Sequence, residues 1–372
     1  MSTARLKTRP EDLTEMGLTP GVVQQWEDGR RDTATPGHME VWYFDATMED
    51  GTTTVVGFRP IGMTGAGDED APNLNVNITT PDGQEFVDMI QVPAADSSIA
   101  TDHCDVRFGP HTAIGDLKDY DVHVEPVNGI GVELHYHALV EPYRAGGTAA
   151  VSLTDDAGND FYYTDFSIPR HRVTGTVTAG GKTWEVSGQG YHDHQWFSIN
   201  PLMAWHHWLW GRFYTENFTV VIYDFVTNAR FGYTRVPIFG VLDKSGKVVF
   251  DNRSDADVQV ETYHDDVTDK DYPKHSHYTF REGDTTAEFD ITWKDILETR
   301  DMYGATTQDH YGLAGDKQRA AYDAMGIKPS YMRYYATGTL ALTGADGRST
   351  SESGDMIYEV NYPAPGDGSA HL

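Results

Sequence analysis

Short runs of β-branched and aromatic residues alternate with turn sequences along almost the whole chain. Such runs are typical of β-strands, and glycine-containing turns between them predict antiparallel hairpins. The clearest runs cover residues 40–47, 52–58, 132–139, 161–166, 218–226, 258–263 and 287–293. The hairpin turns lie at residues 49–51, 81–83, 179–181, 244–246 and 345–347. We therefore predict an all-β fold of antiparallel strands.

The length of 372 residues exceeds the size at which one hydrophobic core usually stops growing, so we expect two domains. We divide the chain into an N-terminal helical extension (1–35) and two β-barrel or sandwich domains (36–200 and 201–372). Two short accessory helices are predicted. One covers residues 21–26, after an N-cap threonine and a proline at Thr19 and Pro20, and the other covers 316–325, before Gly326.

Composition and charge exclude several classes of partner. Asp and Glu outnumber Lys and Arg by 57 to 28, and the net charge of −29 would repel nucleic acid. No apolar run approaches the length that spans a bilayer, so we expect a cytoplasmic protein without stable membrane insertion. The single cysteine, Cys104, cannot form an internal disulfide, and the nearby Asp102 and Asp105 disfavour a reactive thiolate. The oligomeric state does not follow from the sequence.

No cofactor is predicted. The chain has no phosphate-binding glycine loop, no dinucleotide fingerprint, no Gly-x-Ser-x-Gly turn and no His-Glu-x-x-His helix. Nucleotide cofactors and serine hydrolysis are therefore disfavoured. The partner that we expect is a hydrophobic small molecule.

The segment Tyr191-His192-Asp193-His194-Gln195-Trp196 concentrates chemistry-bearing side chains in six positions. In a strand, alternate side chains share a face, so His192, His194 and Trp196 point one way. Tyr191 and Asp193 point the other way, where we expect them to support the strand. General acid–base catalysis by His192 and His194 is the leading interpretation. A purely structural polar network is the alternative.

A metal site is the least favoured interpretation of these histidines. A His-x-His pair on a strand can donate two imidazoles to one ion, but a site needs further ligands. The other histidines that could supply them match no zinc spacing: His206, His207, His275 and His277. We therefore predict no metal.

Asp224 is a carboxylate in the middle of the apolar run 218–226. It shares a strand face with Val220 and Ile222, and if that face lines a core or cavity, burial should raise its pKa. A protonated carboxylic acid could donate a proton to an alkene or polarise a carbonyl. A position on the solvated face is the equally weighted alternative.

Three tryptophans occur in six residues, at Trp205, Trp208 and Trp210. Their spacing of three and then two does not fit one face of a regular strand. Aromatic walls exclude water and stabilise positive charge on a bound carbon skeleton. The alternative is that the three tryptophans are hydrophobic core residues packed between two sheets.

The segment from Thr174 through Trp196 resembles the signature of the carotenoid 1,2-hydratase (hydroxyneurosporene synthase) family. The likeness extends thinly to Trp42–Asp45, to Tyr223-Asp224 and to the C-terminal tyrosines. The wider superfamily has two lipocalin-like domains and includes Diels–Alderases and terpene cyclases. The resemblance therefore implies a lipocalin-like fold and chemistry on an isoprenoid or polyene.

The resemblance also implies roles for individual residues. His194 and Trp196 match the His-x-Trp pair of the family, and Asp224 matches the aspartate proposed there to protonate a terminal alkene. The sequence departs from the family at Phe197 and Ile222, where glycine and tyrosine are usual. A second proton-handling group is therefore either missing or replaced by Tyr223. We predict a substrate pocket lined by Trp42, Phe44, Trp196, Trp205, Trp208, Trp210 and Phe225.

Three functions remain open. The leading one is a lyase or cyclase that protonates an alkene through Asp224, with His194 as partner, and then hydrates or cyclises the product. The second is a pericyclase in which the shape of the pocket dominates and no single acid is indispensable. The third is a lipocalin-like protein that carries a lipid or pigment without converting it.

Overall fold

The fold is known from a computed structural model, which describes residues 2–31, 35, 37–61, 72–304, 315–365 and 372. Most of these residues lie in strands. The strands before residue 200 are β1 (Thr3–Leu6), β2 (Met39–Met48), β3 (Thr53–Arg59), β4 (Asn73–Thr79), β5 (Glu85–Gln91), β6 (Ser97–Ile99), β7 (Cys104–Phe108), β8 (His111–Gly115), β9 (Asp119–Val127), β10 (Ile130–Ala138), β11 (Tyr143–Arg144), β12 (Ala150–Thr154), β13 (Asp160–Ala179) and β14 (Lys182–Phe197).

The later strands belong to a second sheet. They are β15 (Trp205–Tyr214), β16 (Phe218–Thr227), β17 (Arg235–Asp243), β18 (Val248–Asp251), β19 (Asp257–Asp265), β20 (Lys270–Glu282), β21 (Thr285–Asp301), β22 (Ser330–Thr343) and β23 (Ser349–Tyr362). All seven predicted strand runs coincide with strands, and all five predicted turns join strands that are consecutive in the chain. The all-β prediction is therefore confirmed.

The two sheets share one antiparallel plan. The main path of the first sheet runs β5-β4-β3-β2-β14-β13-β10-β9-β8-β7-β6, and that of the second runs β18-β17-β16-β15-β23-β22-β21-β20-β19. Each sheet begins with a four-stranded meander, β2 to β5 in the first and β15 to β18 in the second. The first strand of each meander pairs with the last strand of that half of the chain, β2 with β14 and β15 with β23. By this plan β15 is the counterpart of β2.

The chain divides into two compact units. The first unit comprises Arg9–Ala149 and Tyr162–Asn200, and the second comprises Met1–Thr8, Ala150–Phe161 and Pro201–Leu372. One division between the units falls after residue 200. The predicted domain bounds stay a prediction. Two short segments from the N-terminal half, however, belong to the second unit.

The N-terminal region differs from the helical extension that we predicted. Thr3–Leu6 forms β1, which pairs with β12, and helix α1 covers Pro10–Glu15. No α-helix covers residues 21–26: Gly21 has a φ of 68°, in the left-handed region, and only Gln25 and Trp26 are helical, in a 3₁₀ turn. The carbonyls of Thr19 and Val22 instead accept hydrogen bonds from Arg144 Nη2, at 2.7 and 3.0 Å.

The remaining helices are short. A 3₁₀ helix covers Gln25–Asp28, α2 covers Pro201–Ala204, and α3 covers Gly315–Met325, which confirms the predicted second accessory helix. None of the helices in the described part of the chain is long and apolar enough to span a membrane.

The interior of the second unit is dominated by aromatic side chains. Phe213 and Phe239 lie at its centre with Tyr278, Tyr334 and Tyr358, all 1% exposed or less. Gly211 lets Tyr358 approach closely, since a Cβ at Gly211 would lie 3.0 Å from that of Tyr358. The inward residues of β16, Val220 and Ile222, belong to the same core.

Candidate functional site

Strand β14 presents its two histidines to the interior of the first unit. His192 stacks on Phe44, with ring centroids 4.1 Å apart, and His194 stacks on Trp42 at 4.3 Å. Phe44 and Trp42 lie directly across from these histidines on β2. Trp196 follows on the same face, 4.9 Å from the His194 ring. The face of the strand is the one that the alternation predicts.

Both histidines are fully buried in a polar network, here called the histidine network, formed by Asp28, Glu40, Tyr120, His192 and His194. His192 Nε2 lies 3.2 Å from Asp28 Oδ2, which also accepts a 2.6 Å hydrogen bond from the Tyr120 hydroxyl. His194 Nε2 lies 2.8 Å from Glu40 Oε1. Burial raises the pKa of Tyr120 well above its ordinary value, and the adjacent Asp28 adds to the shift, so Tyr120 stays a hydrogen-bond donor.

The opposite face of β14 holds a second buried carboxyl. Asp193 is 2% exposed, and burial raises its pKa to about 7, although Gln195 Nε2 donates a 2.9 Å hydrogen bond to it. Tyr163 in turn donates to Gln195 Oε1 at 2.7 Å. Tyr191, fully buried beside it, makes an edge contact with Tyr43. The supporting role that we predicted for Asp193 and Tyr191 stays a prediction.

Asp224 lies in the second unit, on the face of β16 that carries Ile222 and Val220. It is 3% exposed, and burial raises its pKa. The Tyr278 hydroxyl donates to Oδ2 at 3.0 Å, and Arg235 Nε lies 3.2 Å from Oδ1. The charge of Arg235 and the hydrogen bond from Tyr278 partly oppose the effect of burial by stabilising the carboxylate. We call Asp224, Tyr278 and Arg235 the Asp224 cluster.

The tryptophans share one face despite their irregular spacing. A β-bulge between Trp205 and His207 resets the alternation of β15, so Trp205, Trp208 and Trp210 lie opposite Thr227, Phe225 and Tyr223, respectively. The rings of Trp205 and Phe225 stack at 4.6 Å, and those of Phe225 and Tyr223 at 5.3 Å. We call the three tryptophans with Tyr223 and Phe225 the aromatic ladder.

The aromatic ladder and Asp224 lie on opposite faces of the sheet. Asp224 is between Tyr223 and Phe225 in sequence, and side chains alternate along a strand. Trp208 packs against a separate small cluster around Tyr322 of α3, away from the Asp224 cluster. The prediction that Asp224 faces these tryptophans in one pocket is therefore wrong, and the Tyr223 side chain points away from Asp224. Tyr278 is the tyrosine whose hydroxyl contacts the Asp224 carboxyl.

The predicted pairing of Asp224 with His194 is also not reproduced within either unit. His194 belongs to the first unit, where Glu40 and Asp28 are its carboxylate neighbours. Trp42, Phe44 and Trp196 lie in that unit as well, whereas the aromatic ladder lies in the second. The predicted residues thus form two clusters, each with its own partners.

Several partners were not predicted from the sequence. Asp28 is 164 residues from His192, and Tyr278 is 54 residues from Asp224. Neither Asp28 nor Glu40 stands in a pattern that separates it from the many other acidic residues of the chain. For Tyr278, its place in the run 275–280 of alternating aromatic and polar residues is the only local signal.

The other candidate ligands and nucleophiles are engaged elsewhere. His275 and His277 both contact Asp290 Oδ1, at 3.1 and 2.9 Å, and His206 lies beside His207. Within the described ranges, no group of three or more His, Cys, Asp or Glu side chains is arranged to hold a metal ion. Cys104 is buried, and burial raises its pKa well above the ordinary value, which makes it a poor nucleophile.

The fold is similar to several solved structures. A protein described as AttH from Nitrosomonas europaea has a TM-score of 0.60 at 14% identity, over 93% of this chain and 99% of that one. Kievitone hydratase from Nectria haematococca has a TM-score of 0.51 at 12% identity, over 89% and 90%. CghA has a TM-score of 0.52 at 13% identity, over 94% and 95%. These likenesses confirm the all-β fold with lipocalin-like domains.

Sequence relatives cover a smaller part of the chain. The ceramide-binding protein svf1 of Emericella nidulans is 24% identical over 200 residues, which are 52% of this chain and 50% of that protein. The svf1 protein of Aspergillus fumigatus is 28% identical over 105 residues, 28% of this chain and 26% of that protein. The chain thus spans half or less of the length of these relatives.

A family model matches most of the chain. It covers residues 27–271, which run from the 3₁₀ helix that carries Asp28 to the start of β20. The match includes both histidines of the histidine network and Asp224. The chain therefore belongs to the family described as Domain of unknown function (DUF7064).

Proposed function

We propose that this protein is a cofactor-independent acid–base enzyme that acts on a hydrophobic small molecule, with Asp224 as the proton donor. The observation that carries the proposal is the Asp224 cluster, a carboxyl with a raised pKa in an aromatic interior. A carboxylic acid with a raised pKa keeps its proton to a higher pH and can transfer that proton to a weakly basic carbon or oxygen.

The residues around Asp224 suit both halves of such a reaction. When the acid protonates an alkene, the proton and the π-electron pair form a new C–H bond, which leaves a carbocation and the Asp224 carboxylate. Tyr278 and Arg235 would stabilise that carboxylate through the contacts described above. The stacked rings of Tyr334 and Tyr358, 4.6 Å apart, offer π faces to a cation in the same interior.

The cation has two outcomes. Water can add to it and return a proton to Asp224, which completes a hydration, or a second double bond can add and a proton is then lost to Asp224. An isoprenoid or polyene provides the trisubstituted alkene that both routes need. The structural likeness to kievitone hydratase, a hydratase by name, supports chemistry of this class.

Binding without conversion is the second candidate function. The sequence relatives are ceramide-binding proteins by name, and this observation favours a lipid as the hydrophobic partner. In that case Asp224 would hold a polar group of the lipid through a hydrogen bond and transfer no proton. The same buried carboxyl therefore serves either function, and only product analysis separates them.

The test is to incubate the purified protein with a panel of isoprenoid alcohols, polyenes and ceramides and to analyse the organic extract by mass spectrometry. A mass gain of one water or a new isomer supports the enzyme. An unaltered ligand that co-purifies with the protein supports the carrier. Conversion that proceeds equally well in the Asp224→Asn variant would favour a pericyclic mechanism without a dedicated acid.

A further inference from the structure

Both histidines of the histidine network have hydrogen-bond acceptors at both ring nitrogens. For His192, Nδ1 lies 2.9 Å from the Tyr43 carbonyl oxygen and Nε2 lies 3.2 Å from Asp28 Oδ2. For His194, Nδ1 lies 3.2 Å from the Glu27 carbonyl oxygen and Nε2 lies 2.8 Å from Glu40 Oε1. A carbonyl oxygen and an ionised carboxylate only accept, so beside ionised Asp28 and Glu40 each ring donates from both nitrogens.

An imidazole ring that donates from both nitrogens carries a positive charge. The surroundings fit two such cations. Each ring has a carboxylate at Nε2 and an aromatic ring stacked on its face, Phe44 for His192 and Trp42 for His194. Burying an imidazolium ion without a carboxylate partner would cost much free energy. Here each imidazolium ion has a carboxylate partner and also contacts the π face of an aromatic ring.

Asp28, the carboxylate paired with His192, belongs to residues 25–31, here called the strap, whereas Glu40, the carboxylate paired with His194, belongs to β2. His194 reaches the strap through the Glu27 carbonyl oxygen. Asp28 is bound to His192 of β14 and to Tyr120 of β9. Strands β14 and β9 are separated by β13 and β10 in the sheet, so Asp28 joins two distant parts of it. Asp28 thus links the strap to the buried face of the sheet at both β14 and β9.

Further contacts hold the C-terminal end of the strap. The Arg31 backbone N–H donates to Glu40 Oε1 at 2.8 Å, the same oxygen that His194 reaches. The Arg30 N–H donates to the Ala100 carbonyl, also at 2.8 Å. Gly29 packs directly on the chain at Thr101, where a Cβ would lie 2.5 Å from the carbonyl carbon.

We propose that His192 and His194 are buried imidazolium ions that act as an electrostatic latch, holding the strap across the aromatic interior of the first unit. The histidines are then fixed cations and not general bases. Release of the strap would expose Trp42, Phe44 and Tyr120 and open this interior to a hydrophobic ligand. The inference does not depend on Asp224 or on the function proposed above.

The charge state can be measured on the unaltered protein. In a protein labelled with ¹⁵N at histidine, an imidazolium gives two nearby nitrogen signals, whereas a neutral ring gives two widely separated ones. We expect the imidazolium pattern for both residues, assigned by its loss in His192→Gln and His194→Gln. The neutral pattern at both residues would overturn the proposal.

The latch itself can be tested by limited trypsin digestion, with cleavage after Arg30 followed by mass spectrometry. We expect Asp28→Asn and Glu40→Gln to be cleaved about tenfold faster than the unaltered protein, a ratio equal to about 1.4 kcal/mol. His135→Gln, which removes an exposed histidine of β10, is the matched control and should be cleaved at the unaltered rate.

Gly29→Ala should displace the strap without changing any charge, because its new methyl group would collide with the backbone at Thr101. It should also be cleaved faster. Cleavage of Asp28→Asn and Glu40→Gln at the unaltered rate, with Gly29→Ala cleaved faster, would show that the strap is held without the latch. If Gly29→Ala were also unchanged, residues 25–31 would not be a strap held at this face.

Discussion

Asp193 and Asp224 are both buried carboxyls with raised pKa values, but their partners differ. Asp224 has an arginine and a tyrosine hydroxyl, whereas Asp193 has the side-chain amide of Gln195 and the hydroxyl of Tyr191, with His192 nearby. Burial is the largest cause of the shift at both. An amide and a hydroxyl stabilise a carboxylate less than a guanidinium in direct contact does. Ionisation of Asp193 should therefore lower the stability of the folded protein.

We predict that Asp193→Asn raises the melting temperature more at about pH 8 than at about pH 5. The pKa of Asp193 is about 7 in the folded protein against an ordinary 3.8, so folding favours its protonated form. The stability from this preference is complete below the unfolded pKa and is lost as pH rises through 7. Asparagine never ionises and can still accept from Gln195. Equal changes in melting temperature at both pH values would contradict this prediction, and Asp121→Asn is the exposed control.

For the Asp224 cluster, Tyr278→Phe should move the alkaline fall of kcat to higher pH. The Tyr278 hydroxyl lowers the pKa of Asp224 by donating to its carboxylate, so its loss lets that pKa rise further. Asp224 must be protonated to act, and the rate falls as pH rises through its pKa. Tyr358→Phe is the control, because that hydroxyl donates to the Pro273 carbonyl instead. A profile that does not move would remove Tyr278 from the mechanism.

At the scale of the element, β14 is held against β2 by close backbone contact. A Cβ at Gly188 would lie 2.2 Å from the Thr47 carbonyl oxygen. A Cβ at Gly190 would lie 2.7 Å from the Asp45 carbonyl oxygen and 2.6 Å from Val173 Cγ2. The two glycines before the histidines therefore allow the backbone approach that brings His192 and His194 opposite Phe44 and Trp42.

Gly190→Ala should accordingly reduce the free energy of unfolding by about 1–3 kcal/mol, because the methyl group overpacks a site with no room. Urea unfolding followed by tryptophan fluorescence measures this change. Glu185→Ala, at an exposed position of the same strand, should be close to neutral. A Gly190→Ala variant as stable as the control would show that the close approach does not constrain the strand.

The local sequence pattern was sufficient to predict the strands and turns, but it did not predict which distant residues they contact. The alternation along residues 191–196 predicted which side chains share a face, and the glycine turns predicted the hairpins. The tryptophan spacing could not be interpreted, because the bulge at Trp205 and His207 depends on pairing with β16. The helix predicted for 21–26 failed because Arg144, more than a hundred residues away, binds the carbonyls of that segment.

At the scale of the whole molecule, the units are discontinuous, and this is the feature that the sequence conceals most. Residues 150–161 belong to the second unit, where Asp155 accepts hydrogen bonds from Arg230 Nη2 and Nε at 2.8 and 3.1 Å. The Arg230 guanidinium also lies 4.6 Å from the centre of the Phe161 ring. Such contacts join residues about 75 positions apart, so no local pattern encodes them.

Arg230→Met should loosen this segment while leaving the first unit intact. We expect a loss of about 1–2 kcal/mol, since Arg230 is 40% exposed and solvent weakens the ion pair. Hydrogen exchange should accelerate in residues 150–161 and around Arg230, with β2 and β14 unchanged. Arg253→Met, which alters a more exposed arginine, is the control. Unaltered exchange in 150–161 would contradict the role given to this pair.

Asp224 is proposed to protonate a hydrophobic substrate. We would test this by comparing substrate conversion by the unaltered protein and by Asp224→Asn. Binding of the substrate, measured by calorimetry, should persist in both proteins with similar affinity. Product formation, measured by mass spectrometry, should fall by about 10²-fold or more in Asp224→Asn, with Asp290→Asn as the exposed control. Equal conversion by Asp224→Asn, or a bound ligand that neither protein converts, would contradict the claim.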